Sequence, residues 1–211
     1  IVLHALICSL ISRHSSRSLK LCLIDPKRTE LSEYAGLPHL YGESPVQDLS
    51  LAADTLHEVA SEMDRREAEL ANRGFKQLAE WRAASSDAPP YLVVVVEERA
   101  DLMLQHPEAE SPLIRLAQKG RASGIHLVLA TQRPDGVTFS GLLRSNVPSR
   151  IALTVQKSTE SRIIIDESGA ELLLGQGDML LKLLGDPAIR MHGAFLSSEE
   201  IRSVVGAAKA R

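Results

Sequence analysis

Four consecutive valines, Val93–Val96, sit within the run Tyr91-Leu-Val-Val-Val-Val, which breaks abruptly into two adjacent carboxylates, Glu97 and Glu98. Such a run cannot be the single wet face of an antiparallel strand. It predicts a strand covered on both faces, as in a parallel sheet with helices packed on each side. Glu97 and Glu98 then emerge at the carboxyl end of that strand, the edge at which open α/β sheets bind their ligands. A strand that simply ends in solvated charge is the plain alternative. Ile125–Ala130 reads as a second short apolar strand, ended by Thr131, Gln132 and Arg133 and stopped by Pro134.

Strands and helices alternate along the rest of the chain. Residues 1–13 read as helix, Leu19–Ile24 as strand, Leu49–Arg73 as a long charged amphipathic helix and Phe75–Ala84 as a shorter one. Further helices are expected at Ser111–Lys119, Ser158–Asp166 and from Ser198 onward, with a strand near Arg150–Val155. The charges of the long helix read as a solvated face. This alternation predicts an α/β domain with a mostly parallel sheet and right-handed crossovers, and 211 residues suffice for one such domain.

The core must come from Leu, Ile, Val and Ala, because aromatic residues make up only 3% of the chain. A formal net charge of −3 excludes any global attraction to nucleic acid, so contacts to it would come from local basic loops. Cys8 and Cys22 are too few for a disulfide framework or a metal site, which favours a reducing cytoplasm. The apolar opening stretch is too short to span a bilayer and lacks a signal-peptide pattern. His126 and His192 have apolar neighbours in sequence and no metal-ligand companions, so both read as core histidines.

Beyond these patterns, several motifs occur together and in order: Ile24-Asp-Pro-Lys-Arg-Thr-Glu-Leu; residues 113–134, with Arg115-Leu-Ala-Gln-Lys-Gly-Arg-Ala-Ser-Gly-Ile-His at their centre; Gly175-Gln-Gly-Asp-Met-Leu; and Arg190-Met-His-Gly-Ala-Phe. Over nearly the whole chain they resemble the motor domain of the FtsK/SpoIIIE family of bacterial DNA translocases. The resemblance implies a RecA-like P-loop NTPase motor fold. No Gly-x-x-x-x-Gly-Lys-Ser/Thr phosphate loop is present in the 211 residues. Ile1-Val-Leu-His-Ala-Leu-Ile resembles the helix that follows that loop in the family. The expectation is therefore a single partial motor domain over residues 1–211, lacking the loop and the first, central strand, and inactive on its own.

The resemblance assigns roles to individual residues. Glu97 matches the acid that holds Mg²⁺, through water, although the family usually has aspartate there and magnesium geometry is strict. Glu98 matches the glutamate that orients and activates the attacking water. Arg99 stands where an aromatic or apolar residue is usual. Gln132 resembles the polar sensor of the terminal phosphate, and Arg121 the arginine inserted into a neighbouring subunit's site, where a planar guanidinium stabilises developing phosphoryl charge. Lys27 matches the family's Asp-Pro-Lys without a role that the sequence supplies. Arg133, Arg144, Lys157 and Arg162 are the DNA-binding candidates, in connections that the family turns toward a central channel. Arg150, at a strand start, is equally suited to a structural ion pair.

The implied function is ATP-driven translocation of double-stranded DNA by a homo-oligomeric, hexameric ring, as in chromosome partition at cell division, with ATP and Mg²⁺ as cofactors. The implied location is the bacterial cytoplasm, with any inner-membrane tether outside this chain. A conjugation or type VII secretion ATPase, and a non-hydrolysing assembly module, are the alternatives.

Overall fold

The computed structural model describes residues 2–28, 30–42, 45–135 and 140–210. They form two compact units, Ile11–Gln132 with Val205–Arg211, and Ile1–Leu10 with Arg133–Val204. Two helices, α1 (Val2–Arg13) and α8 (Ser198–Lys209), have residues in both.

The first unit is built on a three-stranded parallel sheet in the order β1 (Leu19–Ile24), β2 (Tyr91–Val96), β3 (Ile125–Leu129). Between β1 and β2 come α2 (Leu49–Arg73) and α3 (Leu78–Ala84), and between β2 and β3 come α4 (Arg99–Gln105) and α5 (Glu110–Lys119). Val93–Val96 is buried throughout, as a strand covered on both faces requires. Leu92, Val94 and Val96 share one face and pack with Ala53, Leu56, Val59 and Met63 of α2 and with Leu113 and Leu116 of α5. Each of these larger side chains gains roughly 1.5–3 kcal/mol from burial, which makes this layer the main source of the unit's stability.

The two outer edges of this sheet differ. Beside β1, the chain runs parallel through bridges at Leu40 and Val46, so that its edge groups are paired. β3 pairs only with β2 among the described residues, and Leu127, Val128 and Leu129 are half-buried.

Helix α2 begins where Asp48 accepts the Leu51 N–H at 3.0 Å and ends at Gly74 in the left-handed region. Its charged face is not wholly solvated. Arg66 is buried and pairs with Glu62 at 2.7 Å while donating to the Ser123 carbonyl at 3.1 Å. It thereby ties the helix to the turn before β3.

The second unit contains α6 (Gly141–Asn146), β4 (Arg150–Ala152), α7 (Ser158–Ile165), β5 (Asp178–Lys182) and β6 (Ile189–His192). Its sheet is antiparallel, ordered β4-β5-β6. This sheet adds to the parallel one expected from sequence. The expected strand at 150–155 stops at Ala152, because the Val155 N–H turns away to the Ala170 carbonyl at 3.3 Å. The hairpin β5–β6 was not among the expected strands. Asp178 and Arg190, from two of the motifs quoted above, join its two strands as a bidentate pair at 2.7 and 3.0 Å. Arg190, joined by the Leu174 N–H, pulls the Asp178 carboxyl down to about 2.

Candidate active site

β1 and β2 run in register, with Ile24 beside Val96, so Asp25 and Glu97 are the first residues past adjacent strand ends. β3 ends level with them, Leu129 beside Val96, which brings Thr131 next to Glu98. Carboxylates from β2, a lysine from the β1 connection and polar groups after β3 therefore meet at the carboxyl edge, as predicted for Glu97, Glu98 and Gln132.

Glu98 has no exposed surface and adopts a left-handed backbone, φ 47°. For a glutamate that conformation costs on the order of 1–3 kcal/mol, and such residues concentrate at functional sites. Lys27 Nζ donates to Oε2 at 3.0 Å and Thr131 Oγ1 to Oε1 at 2.8 Å, while the Gln132 N–H lies 3.4 Å from both oxygens. Burial alone would raise the Glu98 pKa, but the bonds from Lys27 and Thr131 outweigh it and hold the carboxyl below its ordinary range.

Glu97 is in the opposite situation. It is also buried, yet its Oε2 has no hydrogen-bond partner. Burial, then the charges of Asp25 and Glu98, push its carboxyl up to about 7. Asp25, fully buried, accepts the Glu30 and Leu31 N–H groups at 3.0 and 2.8 Å through Oδ2, and its Oδ1 is also without a partner. Two enclosed carboxylate oxygens lacking donors fit a cation. Mg²⁺ with nucleotide needs only one or two protein carboxylates, the rest of its shell being water and phosphate. No group of three metal-ligating side chains occurs among the described residues, so an all-protein metal cage does not fit.

Arg99 is buried, and its guanidinium reaches Glu110 at 3.4 Å. Its N–H bonds the Ala130 carbonyl at 2.9 Å, joining the ends of β2 and β3. Lys27 and Thr131 are the residues that sequence reasoning left without a role.

Arg121 lies at the other end of the sheet, before β3 starts. Five strand residues at about 3.3 Å each put it roughly 16 Å or more from the acid pair of its own chain. It is exposed, in an open depression of about 570 Å³ lined by Glu67, Lys76, Gln77, Glu80, Gln118 and Lys119. The turn that carries it closes through Gly124, φ +69°, where any Cβ would collide with the Leu78 side chain.

The four DNA candidates all belong to the second unit. Arg133 precedes α6, Arg144 lies on α6, and Lys157 and Arg162 start and line α7. Arg133, Lys157 and Arg162 are exposed; Arg144 is half-buried with an enclosed Nε. Arg150 is structural, bonding Asp166 at 2.6 Å and the carbonyls of Arg144, Val147 and Ile164. His126 and His192 are exposed, in correction of the expected core placement: His126 points to the face of β3 opposite buried Ile125, and His192 ends β6, a strand exposed along its whole length. No helix among the described residues is long and apolar enough to cross a membrane.

Residues 1–136 match the model of the FtsK/SpoIIIE family. A DNA translocase FtsK from Lactiplantibacillus plantarum is 41% identical over all of this chain, which spans 28% of that relative's length. Among solved structures, the conjugation coupling protein TcpA of pCW3 superposes with a TM-score of 0.82 at 20% identity, covering 97% of this chain and 60% of that one. The cytoplasmic domain of the type VII secretion ATPase EccC from Thermomonospora curvata gives 0.84 at 24%, covering 99% and 26%. At these identities the structural likeness establishes the fold alone, an α/β fold shared with these proteins and of the class expected from the sequence.

Proposed function

Because this chain belongs to the FtsK/SpoIIIE family, we propose that it is the part of an ATP-driven, double-stranded-DNA translocase motor that carries the catalytic acids. The observation that carries this reading is Glu98: an ionised carboxylate held at the carboxyl edge of the parallel sheet by residues from both flanking strand ends. In the proposed reaction Glu98 accepts the proton of the water that attacks the terminal phosphate, and Gln132, beside it, senses that phosphate. Glu97 and Asp25 would face bound Mg²⁺, which supplies charge neutralisation of the phosphates.

The two units act as one motor domain in this reading. Arg121, far from its own chain's acids, serves a neighbour's site in a ring, hexameric by family expectation. Arg133, Lys157 and Arg162, with Arg144 less accessible, contact duplex phosphates. Such contacts carry little sequence information, which suits a motor that must pass over any sequence. The domain works in the cytoplasm. Identity to a relative named as a DNA translocase favours DNA over a polypeptide cargo.

The test is Glu98→Gln in a chain extended upstream to supply the phosphate loop. Turnover should fall about 100-fold or more while ATP affinity is retained, since general-base catalysis contributes on that scale. Retention of most turnover would move the catalytic role to another residue.

A further inference from the structure

A base can take a proton from water only when one of its oxygens comes within about 2.6–3.2 Å of it, directly or through one further water. Glu98 cannot do so in the arrangement described, because it has no exposed surface and both its oxygens face protein donors. The strongest of those donors is Lys27, a charge-assisted partner at 3.0 Å. Lys27 is itself about one-third exposed and also lies 3.5 Å from Asp101. When Glu98 leaves, Lys27 therefore keeps a carboxylate partner and solvent contact, so release does not strand a buried charge.

We propose that Lys27 is a positioning residue that latches Glu98 away from water, and that hydrolysis requires the Lys27–Glu98 ion pair to open. Thr131 is the second hold, on the other oxygen. The inference rests on the reading of Glu98 as the base and assigns a role to the lysine of Asp25-Pro26-Lys27. A purely structural ion pair at the strand ends would have a different consequence: losing it would weaken the fold and could only lower turnover.

The experiment uses the full-length chain bearing a phosphate loop, with ATP turnover measured without and with duplex DNA. Lys27→Met removes the charge at similar length. It should raise duplex-independent turnover about tenfold, the effect of losing one hydrogen bond to a charged group, with KM for ATP within about twofold of the parent. Lys27→Arg should keep the low resting rate. Without any nucleotide, the amide of Gln132 should exchange with deuterium faster in Lys27→Met, because its acceptor carboxylate is no longer fixed, while β1 and β2 amides are unchanged. Thr131→Val should shift the resting rate in the same direction and serves if Lys27→Met fails to fold. A resting rate that is unchanged or lower in the variant that folds overturns the latch. An unaltered protein with no ATP turnover overturns the motor reading, and this inference with it.

Discussion

Glu97, buried without a donor beside Asp25 and Glu98, titrates near pH 7, whereas in the unfolded chain it is an ordinary glutamate. The folded state therefore binds the extra proton between about pH 4.5 and 7, and stability falls as pH rises through that window. Glu97→Gln, which cannot ionise, should leave stability near pH 5 little changed. At pH 8 it should raise stability by about 1–3 kcal/mol, read from urea unfolding at the two pH values. An equal effect at both would mean that the Glu97 charge is not the cause. The sequence made the acid pair legible because a valine run ending in two glutamates is a local signal. Lys27 and Thr131 were not, since their contact with Glu98 spans 71 and 33 residues and exists only once three strand ends are aligned. Arg99, a departure from the family pattern that the sequence resembles, is buried with its guanidinium 3.4 Å from Glu110, a contact the sequence does not announce.

Among elements, the turn between α5 and β3 is tightly constrained. Gly124 combines a left-handed backbone with direct contact of any added Cβ on Leu78. Gly185, in the β5–β6 connection, has a similar φ of +85° but open space around it. Gly124→Ala should cost about 2 kcal/mol or more and Gly185→Ala only about 1, because the second pays for backbone strain alone. Equal losses in denaturant unfolding would contradict the packing described around Arg121. β1, β2, β3 and α2 were readable from apolar runs and helical periodicity. The β5–β6 hairpin had a signal too: a short apolar run, Met179–Leu181, and an alternating one, Ile189–His192, flank the turn residues Gly185-Asp-Pro. They were short enough to pass as loop, and their stabilising partner, Asp178–Arg190, is visible only after pairing. Buried Arg66 on α2 escaped for the same reason, since its acceptor lies 57 residues away.

At the scale of the whole molecule, the net charge of −3 means that the proposed DNA contacts fall to a few local cations, and the four candidates, Arg133, Arg144, Lys157 and Arg162, all lie in one unit. The parallel sheet supplies the acids, while the second unit supplies the cations. Duplex affinity as a function of salt, in rings assembled from the phosphate-loop-bearing chain, is the measurement that tests this division most directly. Each of the four replaced by alanine should weaken binding about equally for all sequences and lower the magnitude of the log-affinity against log-salt slope by roughly 0.9 per lost contact, with a smaller effect at half-buried Arg144. Arg121→Ala should reduce DNA-stimulated turnover and leave the slope nearly unchanged. Rings that assemble normally yet keep both affinity and slope through all four substitutions would contradict the DNA-motor account and favour a polypeptide cargo.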